Sequence, residues 1–278
     1  MDDNTMSGPL LLVGCGNMGR AMLRGWLDAG FICADAVHVV EPAVSLREEA
    51  GALGVRTHVS TETLEPGFKA ALAIFAVKPQ VMAAALPAYR PHVAEGVTVS
   101  IAAGIPLASI AAGLGEVAIV RAMPNTPAAI GKGSIVLCAN ERASAAQIAS
   151  VTGLLSANGT VHRVESEAAI DAATAISGSG PAYVFHFIEC LADAGVNLGL
   201  PAPLALALAR ETVEGAGALA MATGTPPSDL RRQVTSPGGT TEAALTVLMG
   251  DEGLRDVMRK AAVAAHRRAV ELAGNISA

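Results

Sequence analysis

The chain has 278 residues and a formal net charge of -6, and no cluster of Lys and Arg lies beside aromatic residues. A nucleic-acid-binding surface is therefore not expected. No uninterrupted apolar run approaches membrane-spanning length, and the first residues, Met1 to Asn4, are acidic where a secretory signal would be basic. These features predict a cytoplasmic protein without a membrane partner.

The cysteines and histidines form no metal-binding pattern. The 4 Cys residues include no CxxC pair, and the 6 His residues include no HxxxH pair. Zinc sites and thioredoxin-like motifs use such close pairs. We therefore expect no metal site, and we expect the cysteines to be free, buried thiols.

The first half of the chain alternates short apolar runs with helix-like stretches. Continuous apolar runs favour strands that are buried on both faces of a parallel sheet. Alternation of such strands with helices predicts a parallel, doubly wound α/β domain. The strong runs span residues 10–13, 37–40, 72–77, 97–101 and 117–122, and weaker ones span 134–139 and 160–164.

From Ser166 onward the pattern becomes helical. We place the domain boundary near Glu165, which gives domains of residues 1–165 and 166–278. The stretch from Ala202 to Ala222 is apolar on most sides, and roughly a hundred residues of helix cannot hide so much apolar surface alone. The second domain is therefore expected to form a homodimer or a higher homo-oligomer. The helical segments are 167–175, 182–196, 203–223 and 252–273.

A glycine motif follows the first predicted strand directly. Its GxGxxG spacing is typical of the Rossmann fold, in which the glycines allow a tight turn, close approach of a pyrophosphate, and close packing of the helix on the strand. Because a helix N-terminus also attracts anions, the motif predicts a nicotinamide dinucleotide site and an oxidoreductase. The residues concerned are Gly14, Gly16, Asn17, Met18 and Gly19.

Glu41 ends the second predicted strand, about 22 residues after Gly19. An acidic residue about 20 residues beyond the glycine motif can accept a hydrogen bond from the 2′-hydroxyl of the adenosine ribose, which favours NAD over NADP. The alternative is that Glu41 and Pro42 only close the strand.

Three further strands end in residues suited to holding a ligand, because open α/β sheets bind ligands at the carboxyl ends of their strands. Two prolines stiffen the segment from Met123 to Pro127. For Lys78 the alternative is that it is only a solvated side chain at a helix start. For the segment from Met123 to Pro127 the alternative is a proline-stiffened turn that binds no ligand. The candidate cofactor residues at these strand ends are Ala76, Val77, Lys78, Pro79, Ala103, Met123, Asn125 and Thr126.

In the helical half, the segment from Thr235 to Glu242 precedes an apolar helical run over 243–249. Backbone N–H groups at a helix start, together with Ser and Thr hydroxyls, can form a cradle for a carboxylate. The alternative is an ordinary helix start capped by Ser or Thr.

Two motifs carry a family resemblance, Ala175-Ile-Ser-Gly-Ser-Gly-Pro-Ala-Tyr183 and the stretch from Leu230 to Leu245. Together with the glycine motif they resemble pyrroline-5-carboxylate reductases, and the match runs along the whole chain. The resemblance implies a Rossmann domain followed by an all-α dimerisation domain, with each active site shared between two subunits. It also implies the last step of proline biosynthesis, with NADPH as the preferred cofactor.

The resemblance assigns roles to individual residues. It places Ala76, Lys78, Pro79, Ala103, Asn125 and Thr126 at the cofactor, and Ser236, Gly238, Gly239, Thr240 and Thr241 at the substrate.

The residue types agree with reduction of an imine. A carbonyl reductase usually needs a general acid, and the segment 235–242 contains no His, Tyr or Lys. An imine can arrive protonated, so positioning and one hydrogen bond to its nitrogen suffice. Thr241 is the candidate for that bond. Two other functions remain open, a related dehydrogenase of hydroxy or keto acids and a dinucleotide-binding sensor without turnover.

Overall fold

The computed structural model describes residues 8–274, which form two compact units. One unit runs from the first described residue to Ser179 and also contains the described residues 265–274, and the other is Gly180–Ala264. The last strand ends at Arg163. The division into domains at Glu165 stays a prediction.

The first unit is built on one sheet, which has eight strands within the described residues. Their order in the sheet is β3-β2-β1-β4-β5-β6-β7-β8. The strands are β1 (Leu10–Val13), β2 (Val37–Val40), β3 (Arg56–His58), β4 (Leu72–Phe75), β5 (Val97–Ser100), β6 (Ala118–Met123), β7 (Gly133–Ala139) and β8 (Gly159–Arg163).

The prediction of an entirely parallel sheet is wrong at one pairing. β7 runs antiparallel to β6, with Val120 opposite Ala139, whereas the other neighbouring strands are parallel. A parallel pair needs a crossover of a dozen or more residues, and the short connection between Met123 and Gly133 allows only a reversal of direction. β3 was not predicted from the sequence, because Arg56-Thr57-His58 contains no apolar residue.

Helices cover both faces of the sheet, and β1, β2, β4 and β5 are therefore buried along their whole length. Leu10 and Leu12 pack on one face, and Leu11 and Val13 pack on the other, as alternation along a strand requires. The helices of this unit are α1 (Asn17–Asp28), α2 (Val44–Gly51), α3 (Pro79–Val93), α4 (Leu107–Leu114), α5 (Ala145–Ser156) and α6 (Glu167–Ala173), followed by a π-helical turn at Thr174–Gly178.

The second unit is helical, as predicted. Much of its apolar surface is exposed in the single chain, for example Phe185 at 57% and Met221 at 82%. Apolar surface of this extent marks an interaction site. Its helices are α7 (Gly180–Asn197), α8 (Ala202–Thr223), α9 (Pro227–Gln233), α10 (Thr240–Leu248) and the first part of α11 (Leu254–Gly274). Among the described helices, none combines the length and apolar character that crossing a bilayer requires.

The four cysteines are free thiols, but the expectation that all are buried is wrong for two of them. Cys15 and Cys138 lie in the core, whereas Cys33 and Cys190 are exposed. Cys33 lies in the loop after α1. Cys190 lies on α7 beside the exposed His186, whose Nε2 is 3.6 Å from Cys190 Sγ.

Candidate active site

The glycine motif has the geometry that the sequence predicts. Gly14 has a φ of +86°, and a Cβ there would lie 2.8 Å from Val77 Cγ1. A Cβ on Gly19 would lie 2.6 Å from the Gly14 carbonyl oxygen, so α1 packs closely on the strand end. A Cβ on Gly16, in contrast, would meet no atom within 4 Å. The backbone at Gly16 is therefore open to a ligand at the start of α1, where exposed N–H groups favour a phosphate.

A cleft of about 610 Å³ lies at the carboxyl ends of β1, β2 and β4. Its volume is in the usual range for a small-molecule site. Six of the predicted cofactor residues line it, namely Gly14, Gly16, Glu41, Ala76, Val77 and Lys78. Other lining residues were not predicted from the sequence, among them Pro42, Ser60, Thr61, Glu62, Val81 and Tyr89.

Glu41 is fixed at the edge of this cleft by two backbone hydrogen bonds. Its Oε2 accepts from the Cys15 N–H at 2.8 Å, and its Oε1 accepts from the Ala43 N–H at 2.9 Å. The residue is only 7% exposed, and the bond to Cys15 turns its carboxylate toward the glycine loop. Burial, reinforced by this carboxylate, raises the pKa of the Cys15 thiol to about 11. The thiol is therefore protonated and unreactive at neutral pH.

Arg47 does not neutralise the Glu41 carboxylate. Its guanidinium donates to the carbonyl oxygens of Glu41 at 2.9 Å and Pro42 at 3.0 Å. These bonds fix the start of α2 against the end of β2. The two carboxylate oxygens stay bonded to the Cys15 and Ala43 N–H groups.

Two histidines support the wall formed by Ser60, Thr61 and Glu62. His38 Nδ1 lies 3.1 Å from His58 Nε2, and His58 Nδ1 lies 3.0 Å from the Thr63 carbonyl oxygen. Burial lowers the pKa of His38, and the neighbouring His58 lowers it further. The two side chains therefore connect β2 to β3, and His58 connects β3 to Thr63 at the end of the wall. No sequence signal marked it, because it depends on the pairing of a polar edge strand.

The remaining predicted cofactor residues of the first unit lie outside this cleft. Asn17 is exposed at the start of α1, Met18 is half-buried beside it, and Pro79 begins α3. Ala103 follows β5 and Met123 ends β6, so both lie at the carboxyl edge of the sheet. Thr126 is exposed at the start of a 3₁₀ turn.

The Asn125 side chain is bound to the protein itself. Its Oδ1 accepts from the Ser134 N–H, and its Nδ2 donates to the Ser177 carbonyl, both at 2.9 Å. The residue is 8% exposed. Its role as a direct cofactor ligand stays a prediction.

A buried arginine in β6 was not predicted from the sequence to form part of this region. Arg121 on β6 bonds to Glu167 at 3.0 Å and to Asp171 at 2.6 Å, and the same Glu167 oxygen accepts from the Leu107 N–H at 2.9 Å. The network joins β6, α4 and α6. An arginine within an apolar strand was the available signal, because a buried charge requires a partner.

In the second unit, the predicted substrate segment forms a tight turn into α10. Gly238 has a φ of +72°, and its N–H donates to Glu242 Oε2 at 2.7 Å. Gly239 occupies the N-cap position and has no side chain with which to cap the helix. Ser236, Gly238 and Thr240 are exposed, and Thr241 is half-buried. The backbone N–H groups of the first turn can therefore receive an anion.

Comparisons with known proteins decide the family. The pyrroline-5-carboxylate reductase of Pseudomonas aeruginosa is 40% identical over 272 residues, covering 96% of this chain and 98% of that protein. The Synechocystis enzyme of the same name is 38% identical, covering 96% and 99%. The chain belongs to the pyrroline-5-carboxylate reductase family.

Family models and solved structures agree with this membership. A model for pyrroline-5-carboxylate reductase dimerisation matches residues 167–272, and a model for NADP oxidoreductase, coenzyme F420-dependent, matches 10–104. The Coxiella burnetii reductase structure is 34% identical with a TM-score of 0.89, covering 96% of this chain and 99% of that one. A Plasmodium falciparum structure with NADP bound is 28% identical with a TM-score of 0.84, covering 97% and 99%.

These matches confirm the predicted fold class, which is a Rossmann-type domain followed by a helical dimerisation domain. The chain is an NAD(P)H-dependent oxidoreductase. The dimerisation match also supports a homo-oligomer. Prephenate dehydrogenase from Aquifex aeolicus, at 14% identity and a TM-score of 0.55, shares the fold alone.

Proposed function

We propose that the chain reduces the C=N bond of L-pyrroline-5-carboxylate to give L-proline. The observation that carries this proposal is the glycine loop, with Gly16 facing open space, in a chain that matches reductases of this name along nearly its whole length. Two supporting features are the absence of His, Tyr and Lys from the segment 235–242 and the turn that opens α10. An iminium substrate needs positioning more than it needs a proton donor.

The residues of the first unit fit a nicotinamide dinucleotide. The start of α1 offers backbone N–H groups for the pyrophosphate, and Gly16 leaves room for it. Glu41 and the wall of Ser60, Thr61 and Glu62 would hold the adenosine end. When bound, the cofactor supplies the hydride.

The residues of α10 would hold the substrate. The first-turn N–H groups and the hydroxyls of Ser236 and Thr240 would bind its carboxylate. The Thr241 hydroxyl would accept a hydrogen bond from the protonated imine nitrogen. Because the chain carries a dimerisation region, we propose that these residues complete the cofactor site of the partner subunit.

We further propose that NADH is used at least as well as NADPH. The 2′-phosphate of NADPH carries a charge of about -2. One pair of unit charges about 4 Å apart costs about 4 kcal/mol at an effective dielectric constant near 20, an upper figure that solvent reduces. Arg47 is held on backbone carbonyls and leaves the Glu41 carboxylate unneutralised. The carboxylate can instead accept a bond from the 2′-hydroxyl of NADH.

The test is an assay of NADH and NADPH oxidation with pyrroline-5-carboxylate, with 2-keto and 2-hydroxy acids as comparison substrates. We expect oxidation of the cofactor that depends on pyrroline-5-carboxylate and not on the acids. Turnover of the acids alone would favour the dehydrogenase alternative. Tight cofactor binding without any turnover would favour the sensor. The cytoplasmic location stays a prediction.

A further inference from the structure

A buried asparagine joins the end of β6 to the π-helical turn 52 residues later in the chain. Asn125 Nδ2 donates to the Ser177 carbonyl, and Asn125 Oδ1 accepts from the Ser134 N–H. All three residues belong to the first unit. The bonds therefore lie within one compact body.

The sequence explains why the Ser177 carbonyl accepts a bond from outside its helix. In an α-helix this carbonyl would accept from the residue four positions later, which is Pro181. Proline has no N–H, and its ring crowds the same carbonyl. The chain widens here into a π-helical turn, in which the Ser179 N–H donates to the Thr174 carbonyl at 2.8 Å. Asn125 supplies the donor that Pro181 lacks.

The π-helical turn lies against the carboxyl edge of the sheet. A Cβ on Gly178 would lie 3.0 Å from Met123 Cε, so the turn packs closely on the last residue of β6. A Rossmann sheet binds its cofactor across two halves. Glu41 and the glycine loop belong to the half at β1 and β2, and β6 belongs to the other half. The turn therefore lies at the half that would receive the nicotinamide.

We propose that Asn125 is a positioning residue for hydride transfer, which acts through the Ser177 carbonyl to hold Gly178 against Met123. This inference rests on the proposed function. It assigns Asn125 a role through the protein backbone in place of direct contact with the cofactor. Single π-helical turns occur frequently at functional sites, which agrees with such a role.

The test compares Asn125→Ala with Asn140→Ala. Asn140 is a matched control, because its Oδ1 accepts from the Ile119 N–H and its Nδ2 donates to the Val117 carbonyl, at the opposite end of β6. Both variants lose two bonds to the backbone and should be less stable. Only Asn125→Ala should lower kcat, by about tenfold. Its affinity for ADP-ribose should stay unchanged, because that fragment occupies the other half of the sheet.

A second change tests the mechanism of positioning. Pro181→Ala supplies the missing N–H, so it should restore at least part of the lost kcat in the Asn125→Ala background and bring no gain in the Asn140→Ala background. Equal kcat losses in the two asparagine variants, or no recovery in a folded double variant, would overturn the inference.

Hydrogen exchange separates this inference from the proposed function. The Ser179 N–H should exchange faster in Asn125→Ala than in the wild type, and this readout needs no turnover. Unchanged exchange would overturn the inference while the activity stands. A wild type that does not reduce pyrroline-5-carboxylate would instead contradict the proposed function.

Discussion

The Glu41 carboxylate accepts a hydrogen bond from the backbone N–H of Cys15 at 2.8 Å. This bond joins the end of β2 to the glycine loop. It places a fixed negative charge beside the backbone that would bind the pyrophosphate. The identity of residue 41 should therefore control which dinucleotide binds better.

Replacing Glu41 with serine should shift the preference toward NADPH. The substitution removes the charge that repels the 2′-phosphate of NADPH. The serine hydroxyl can instead donate a hydrogen bond to that phosphate. The measurement is the ratio of kcat/KM for NADPH to that for NADH. Glu48→Ser is the control, because Glu48 is exposed on α2 and does not line the cleft. A wild type that strongly prefers NADPH, with an unchanged ratio in Glu41→Ser, would show that Glu41 only closes its strand.

Two glycines of the loop should respond differently to alanine. Gly16→Ala should change the free energy of unfolding by less than about 1 kcal/mol, because its Cβ would point into open space, yet it should weaken cofactor binding. Gly19→Ala should destabilise the fold by about 1–3 kcal/mol, because its Cβ would overlap the Gly14 carbonyl. Urea unfolding and NADH titration measure the two effects. Full cofactor affinity in Gly16→Ala would argue against a pyrophosphate at this position.

Thr241→Ala should slow turnover and leave cofactor affinity nearly unchanged. Loss of one hydrogen bond to a charged group costs about 1.5–3 kcal/mol, which corresponds to about tenfold to a hundredfold in rate. Thr246→Ala on the same helix is the control, since the Thr246 hydroxyl donates to the Glu242 carbonyl. If both variants keep wild-type kinetics, Thr241 has no part in the mechanism.

Mixed subunits test whether each site is shared. A Gly16→Asp chain should fail to bind the cofactor, and a Thr241→Ala chain should turn over slowly. After subunit exchange, some hybrid sites would combine an intact glycine loop with an intact Thr241 from the partner. The activity of the mixture should then exceed the sum of the two parents. Activity equal to that sum, with exchange confirmed by mass spectrometry, would place each site within one chain.

Much of the sheet could be predicted because its strands are buried on both faces. Leu10–Val13 is continuously apolar, Val37–Val40 is interrupted only by the buried His38, and the bounds of both strands match the predicted ones. The strand Arg56–His58 could not be found in this way, since it lies at the edge of the sheet and has only polar residues. The direction of β7 was mispredicted. The alternation of strands and helices favours parallel strands, and it does not reveal that the connection from Met123 to Gly133 is too short for a parallel crossover.

The geometry of the glycine loop was predictable because local sequence determines it. The turn at Gly14 and the space at Gly16 follow from the motif itself. The bond from Asn125 to Ser177 joins residues 52 positions apart, and Arg121 pairs with Glu167 and Asp171, which lie 46 and 50 positions later in the chain. Such contacts depend on how β6 and α6 pack. No spacing rule applied to one sequence could have found them.

The most direct test of the proposed activity follows the hydride itself. The wild-type enzyme is incubated with pyrroline-5-carboxylate and NADH that is fully deuterated at C4 of the nicotinamide, and the product is analysed by chiral chromatography and mass spectrometry. We expect L-proline that carries a single deuterium at C5, formed in the same amount as the oxidised cofactor. Oxidation of the cofactor without labelled proline, or no reaction at all, would contradict the account.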